Sequence, residues 1–220
     1  MQHLIIGILL ASLLLFCGYK LLRPFILEYL RQYRYRKILQ RIAVLYQPHN
    51  PYLIAQAAKT KHADENLTYG EIELCAFLDL LAQVNPTQQD ILYDLGSGAG
   101  KTVIAAKLRY PALTVKGIER LEPLCRLAQV VTPPDITNVY YINHDFLEIN
   151  FSDATLIFIN ATGFSHALWE PLMAKLVQLK PTTKIILTSK TLPETAFIQH
   201  YAGMEKMNWG LCSTYIYEKK

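Results

Sequence analysis

Apolar residues follow two rhythms along this chain. Five short runs bounded by turn residues, at about 91–95, 113–118, 138–142, 154–159 and 183–188, read as buried strands. Between them, residues 101–109, 121–131 and 167–179 carry apolar positions at helical spacing. A further helix is expected over 69–84, where Ile72, Cys75, Ala76, Leu78, Leu80 and Leu81 recur before Pro86. Residues 204–209 and 214–217 predict a closing hairpin around Gly210. Strands alternating with helices imply a parallel sheet covered on both faces, and the hairpin adds an antiparallel edge. The expected class is α/β, a Rossmann-like seven-stranded sheet with helices on both faces.

The first residues follow neither rhythm. Leu4 to Tyr19 is uncharged and almost wholly apolar, and Leu21 and Leu22 extend it past Lys20. Because Lys20 and Arg23 can snorkel, a transmembrane helix over residues 3–22 is expected. Met1-Gln2-His3 lacks the basic n-region of a secretory signal, and Phe16 stands where a lipoprotein signal needs a small residue before Cys17. Seven basic residues, from Lys20 to Arg41, face the single acid Glu28 just beyond the span. That bias orients the remainder of the chain toward the cytoplasm and accounts for the net charge of +4 without nucleic-acid binding. The expected organisation is an anchor at 1–23, a basic juxtamembrane helical segment and linker at 24–65 broken by Gln47-Pro48-His49-Asn50-Pro51, and a globular domain at 66–220. A short helical stretch is expected from Tyr52, then a polar loop from Lys59 to Asn66. Cys17, Cys75, Cys125 and Cys212 are scattered and form no C-x-x-C pair, so reduced thiols and no metal site are expected.

The chemistry concentrates where the first strand ends, in Asp94-Leu95-Gly96-Ser97-Gly98-Ala99-Gly100 followed by a helix from Lys101. Glycines here let the chain turn tightly and let a ligand approach the main chain. A P-loop needs a glycine five positions before Gly100, where Leu95 stands, and the spacing G-x-G-x-G misses the dinucleotide fingerprint. The Asp94 carboxylate would repel a pyrophosphate but suits a ligand bearing an ammonium and a sulfonium, which is S-adenosyl-L-methionine. The second strand ends in Glu119, at the spacing of about 20 residues where a strand-end carboxylate grips ribose hydroxyls. A glycine-rich turn without a ligand is the alternative.

Ligands of doubly wound sheets sit beyond the carboxyl ends of the strands. The third strand leads to His144-Asp145-Phe146, where a carboxylate can accept from an adenine amino group while the ring stacks on the base. Asp145 as a loop cap is the competing reading. The fourth ends at Asn160, whose amide could orient an amine toward the transferred methyl or could merely open a helix.

The order Thr68-Tyr69-Gly70-Glu71, the Asp94 glycine motif, Gly117-Ile118-Glu119, Asp145-Phe146 and Ile157-Phe158-Ile159-Asn160 resembles the catalytic core of the disruptor-of-telomeric-silencing type of histone-lysine methyltransferases, over about residues 66–190. The resemblance implies a class I methyltransferase in which the loop at Tyr69 and Glu71 folds over the methionine end of the cofactor. Asp94 and Gly96 would hold that end, with Ser97, Gly98, Gly100 and Lys101 around it. Glu119 would hold the ribose, Asp145 and Phe146 the adenine, and Asn160, with Tyr69, the region of the transferred methyl. Ala161-Thr162-Gly163 replaces the second Asn and apolar stretch of that family, and Lys101 replaces another polar side chain. The layout of anchor, basic segment and small domain is similar to the membrane-anchored lysine methyltransferases that modify the ATP synthase c subunit. A protein lysine is therefore the expected acceptor. A quinone or lipid acceptor, or a cofactor-binding scaffold without turnover, are the alternatives.

Overall fold

The computed structural model describes residues 2–60 and 69–220, with side chains from Lys20 onward. The polar loop expected before Tyr69 and the Thr68 of the loop motif fall largely within 61–68, outside the described residues. The chain divides into two compact units, residues 1–37 and 38–220.

The first unit belongs to helix α1, Gln2–Tyr46. In its described part Leu21, Leu22, Phe25 and Tyr29 are exposed, and the Arg36 guanidinium lies 4.7 Å over the Tyr33 ring. Among the described residues no helix is long and apolar enough to cross a membrane; the side chains of most of the expected span, 3–22, lie outside them.

The second unit begins with the end of α1 and helix α2, Pro51–Lys59. Asn50 caps α2 by accepting from the Tyr52 and Leu53 N–H groups, and Pro51 occupies a first-turn position that needs no donor. Then come α3 (Leu74–Val84), β1 (Ile91–Leu95), α4 (Lys101–Arg109), β2 (Thr114–Glu119), α5 (Glu122–Val131), β3 (Val139–Asn143), β4 (Leu156–Asn160), α6 (His166–Val177), β5 (Lys184–Thr188), β6 (Phe197–Met207) and β7 (Gly210–Lys219). The strands form one seven-stranded sheet in the order β3-β2-β1-β4-β5-β7-β6. β1 to β5 pair in parallel; β7 runs antiparallel to β5, and β6 to β7. The inner strands are covered on both faces, which explains their near-continuous apolar runs: Ile157, Ile159, Ile185 and Leu187 are wholly buried.

The expected Rossmann-like arrangement is present, and the register aligns its functional ends. Asp94 lies opposite Gly117 and Phe158, Glu119 opposite Asn143, and Asn160 opposite Thr188. The strand order reverses between β1 and β4, where a crevice opens beyond the carboxyl ends.

Two expectations are corrected. The helix expected from Tyr69 begins only at Leu74. Residues 69–73 are extended instead, because Ile72 bridges to Met207 and Glu73 N–H donates to Lys206 O at 2.9 Å. These hydrogen bonds to the hairpin outweigh local helical spacing. The hairpin itself is far longer than 204–217: β6 starts at Phe197. As the edge strand, β6 exposes Ile198, Gln199 and His200, so its sequence lacks the continuous apolar signature of the inner strands.

Candidate active site

The turn after β1 holds Gly96, Gly98 and Gly100 at φ of +89°, +54° and +82°, a region that disfavours any side chain. Gly96 and Ser97 N–H both donate to Ile118 O, binding the turn to β2. Gly98 N–H donates to Glu119 Oε2 at 2.8 Å, and Leu121 N–H to Glu119 Oε1 at 2.7 Å. Gly100 is the one predicted ligand-binding residue that stands off the cavity wall. A Cβ there would meet Ala128 and Tyr141 at 2.8 Å, so its role is close packing of α4.

Two carboxylates are buried beside this turn. Asp94 is 2% exposed and accepts from the Thr102 hydroxyl. Burial pushes its pKa up to about 7, with the nearby Glu119 adding in the same direction. Burial also raises Glu119, against the opposing pull of backbone N–H donors from Leu121, Gly98 and Arg120. Two acids raised by burial at the rim of a glycine turn mark a candidate functional site, where a cationic ligand would favour their charged form.

The 69–73 segment closes the cavity from the other side. Glu71 exchanges backbone and side-chain hydrogen bonds with Asn208, each at 3.0 Å. Its carboxylate accepts from Lys101 Nζ at 2.8 Å and from the Tyr69 hydroxyl. Tyr69 has its pKa raised well above the usual phenol value by burial and by Glu71. It is therefore a neutral donor that helps hold the loop, rather than a base. Trp209 packs on Gly70, where any Cβ would overlap the indole. The end of α1 supports the same corner: the Tyr46 hydroxyl donates to Ala99 O, and Lys101 Nζ lies 5.2 Å over the Tyr46 ring.

Beyond β3, Asp145 Oδ1 accepts from Leu147 N–H at 2.8 Å, so Asp145 does cap its loop, leaving Oδ2 for another donor. Phe146 stacks on Phe164 with centroids 5.6 Å apart. Lys175 holds this loop from α6 by donating to the carbonyls of Phe146, Leu147 and Ile149. At the end of β4, Asn160 opens no helix. Its Nδ2 donates to Gly70 O at 3.1 Å, and its Oδ1 accepts from Thr162 and Thr188.

These elements enclose one cavity of about 360 Å³. Its wall includes Tyr69, Glu71, Asp94, Gly96, Ser97, Gly98, Lys101, Glu119, Asp145, Phe146 and Asn160. The residues fit an S-adenosylmethionine molecule on two observations, while Ser97 Oγ, buried beside Gly117, has no partner among the described residues. Open space lies where Gly96 would carry a Cβ. Glu119 meets the main-chain N–H groups of Gly98, Leu121 and Arg120, which leaves about one of its four acceptor positions for a ribose hydroxyl. Glu119→Gln removes charge and forces an NH₂ against one of those backbone donors. It should weaken S-adenosylhomocysteine binding by on the order of 2 kcal/mol; an unchanged calorimetric Kd would refute the ribose role.

Several contributors escape local sequence reading. Thr102 stands in the first turn of α4, and its eight-residue distance from Asp94 across a glycine turn is a usable signal. Trp209, Asn208, Tyr46 and Thr188 reach the site only through tertiary contacts, and nothing local marks them.

The fold and cavity define a class I S-adenosylmethionine-dependent methyltransferase. The sequence profile described as "Histone methylation protein DOT1" matches residues 53–210. The chain belongs to that family. It is 25% identical over 142 residues to the Drosophila melanogaster "Histone-lysine N-methyltransferase, H3 lysine-79 specific", covering 57% of this chain and only 8% of that relative's length. Solved structures share the fold. An RNA methyltransferase from Salinibacter ruber in complex with S-adenosyl-L-homocysteine is 22% identical with a TM-score of 0.53, covering 65% of this chain and 89% of that one. A SAM-dependent methyltransferase from Aquifex aeolicus is 16% identical with a TM-score of 0.53, covering 78% and 99%.

Proposed function

We propose that this methyltransferase is a protein-lysine N-methyltransferase held at a membrane by its N-terminal helix, with its catalytic unit in the cytoplasm. The observation that carries the lysine reading is the make-up of the cavity wall. Beside the carboxylates Asp94, Glu119 and Asp145, the wall includes the apolar side chains of Ile72, Leu74, Phe158, Phe164, Leu168 and Trp209. Such a wall suits the four methylenes of a lysine and disfavours its ammonium form. The Drosophila relative, named for a histone lysine, supports an amine acceptor.

S-Adenosylmethionine, when bound, supplies a methyl group made electrophilic by its sulfonium. The chain's own residues align and exclude water. Asp94 offers a carboxylate to a cationic ligand, Glu119 and Asp145 orient a nucleoside, and the Tyr69–Glu71 loop covers it. The apolar wall lowers the pKa of an entering amine, so that it arrives with a free lone pair.

The membrane reading is supported by the apolar stretch from Leu4, the exposed Leu21, Leu22 and Phe25, and the basic residues that follow. Membranes from cells expressing the chain, incubated with radiolabelled cofactor, should yield a labelled protein whose label maps to lysine. The enzyme should stay in the pellet after an alkaline wash. Label in the lipid fraction alone would replace lysine with a membrane-soluble acceptor, and release by the wash would remove the anchor.

A further inference from the structure

The Asn160 amide is held between the Gly70 carbonyl and the hydroxyls of Thr162 and Thr188, which leave it one orientation. Ala161 N–H donates to Thr188 Oγ1 at 3.1 Å, so the Thr188 hydroxyl accepts there and gives its own proton to Asn160 Oδ1, 2.8 Å away. On the other side Gly70 O can only accept, so the atom facing it at 3.1 Å must be Nδ2. Thr162 adds a second proton to Oδ1 at 3.1 Å. The oxygen is thus saturated, and the amide is turned toward the loop rather than left free to handle an incoming amine.

We infer that Thr188, which is fully buried behind Asn160 and outside the cavity wall, is a positioning residue: its hydroxyl aims the Asn160 amide so that Nδ2 ties the Gly70 carbonyl, and with it the Tyr69–Glu71 loop, to the end of β4. Without that hydroxyl, Oδ1 keeps only the Thr162 donor, and the flipped amide, which sets Oδ1 against Gly70 O as two acceptors face to face, becomes more accessible. The loop would then keep its ties to Asn208 and Lys101 but lose the one that holds it across the cavity. Its ligand test rests on the assignment of the cavity to S-adenosylmethionine; the loop itself can be tested without ligand.

The full chain is compared as wild type, Thr188→Val and Thr188→Ser. Valine keeps the shape but removes the hydroxyl both as donor to Asn160 and as acceptor for Ala161 N–H, while serine keeps both roles. Two readouts apply: hydrogen exchange at the Glu71 and Glu73 amides without ligand, and the dissociation rate of S-adenosylhomocysteine. One neutral hydrogen bond corresponds to a factor of about fivefold, so Thr188→Val should speed both by about that much while Thr188→Ser stays near wild type. Unchanged exchange and dissociation in Thr188→Val would overturn the inference, as would failure of serine to restore them. Should the valine variant not fold, Asn160→Ala removes the same tie, and wild-type exchange in it would be equally fatal. A wild-type chain that ignores S-adenosylhomocysteine would instead sink the cofactor assignment, with the exchange readout still deciding the role of Thr188.

Discussion

Asp94→Asn is expected to make the protein more stable and the enzyme nearly useless at alkaline pH. The folded-state pKa of about 7 lies above the ordinary 3.8, so folding favours the protonated acid. That contribution to stability is fully present below about pH 4 and is lost as pH rises to about 7. Above pH 7 the folded state carries a desolvated carboxylate at a cost on the order of 4 kcal/mol, from the roughly three-unit shift. Asparagine removes the titration and can still accept from Thr102. The variant's melting temperature should therefore exceed wild type at pH 8, and the gap should narrow toward pH 5. Affinity moves the other way. In wild type the Kd for S-adenosylmethionine should rise as pH falls below about 7, by up to about tenfold per unit, because a cationic ligand then competes with a proton. In Asp94→Asn binding should be weak at every pH and flat across the range. Melting and calorimetry at pH 5 and 8 check both halves; a variant that binds as tightly as wild type at pH 8 would remove Asp94 from the site.

Gly98→Val should abolish cofactor binding. Two costs add at this position. Its φ of +54° is poorly tolerated by a β-branched residue, and a Cβ would lie 2.5 Å from the Tyr69 ring. The ring can move, but only by carrying away the loop that Glu71 holds. The backbone strain remains, and it disturbs the Gly98 N–H that positions Glu119. Gly98→Ala bears a smaller version of both costs and should retain weakened binding. Detectable S-adenosylhomocysteine binding by Gly98→Val would mean that the turn does not line the ligand. Gly96→Ala separates the two costs, because it meets φ strain at +89° with nothing within 4 Å.

The readable parts of this chain were those in which local order and function coincide. The inner strands are buried on both faces, so Leu92–Leu95 and Leu156–Ile159 announce themselves as apolar runs, and the polar residues that end them announce the site. Local pattern is misleading where a distant partner overrides it. Residues 69–73 have helical spacing, yet hydrogen bonds to Lys206, Met207 and Asn208 hold them extended. Strand β6 was legible only near Met204 because an edge strand needs one apolar face, not two.

Spacing was sufficient for the α/β alternation and the glycine turn with its flanking acids, and the charge of Asp94 beside that turn for the choice of a sulfonium nucleoside over a phosphorylated one. Each depends on residues adjacent in the chain or on one repeated strand–helix interval. Which side chains face one another across the cavity was decided by the folded arrangement. The raised pKa of Asp94, the orphaned Ser97 hydroxyl, the Trp209 and Asn208 supports of the loop and the Thr188-set amide of Asn160 all arise from groups far apart in sequence. Desolvation and hydrogen-bond direction are properties of a three-dimensional surrounding, and no linear spacing encodes them.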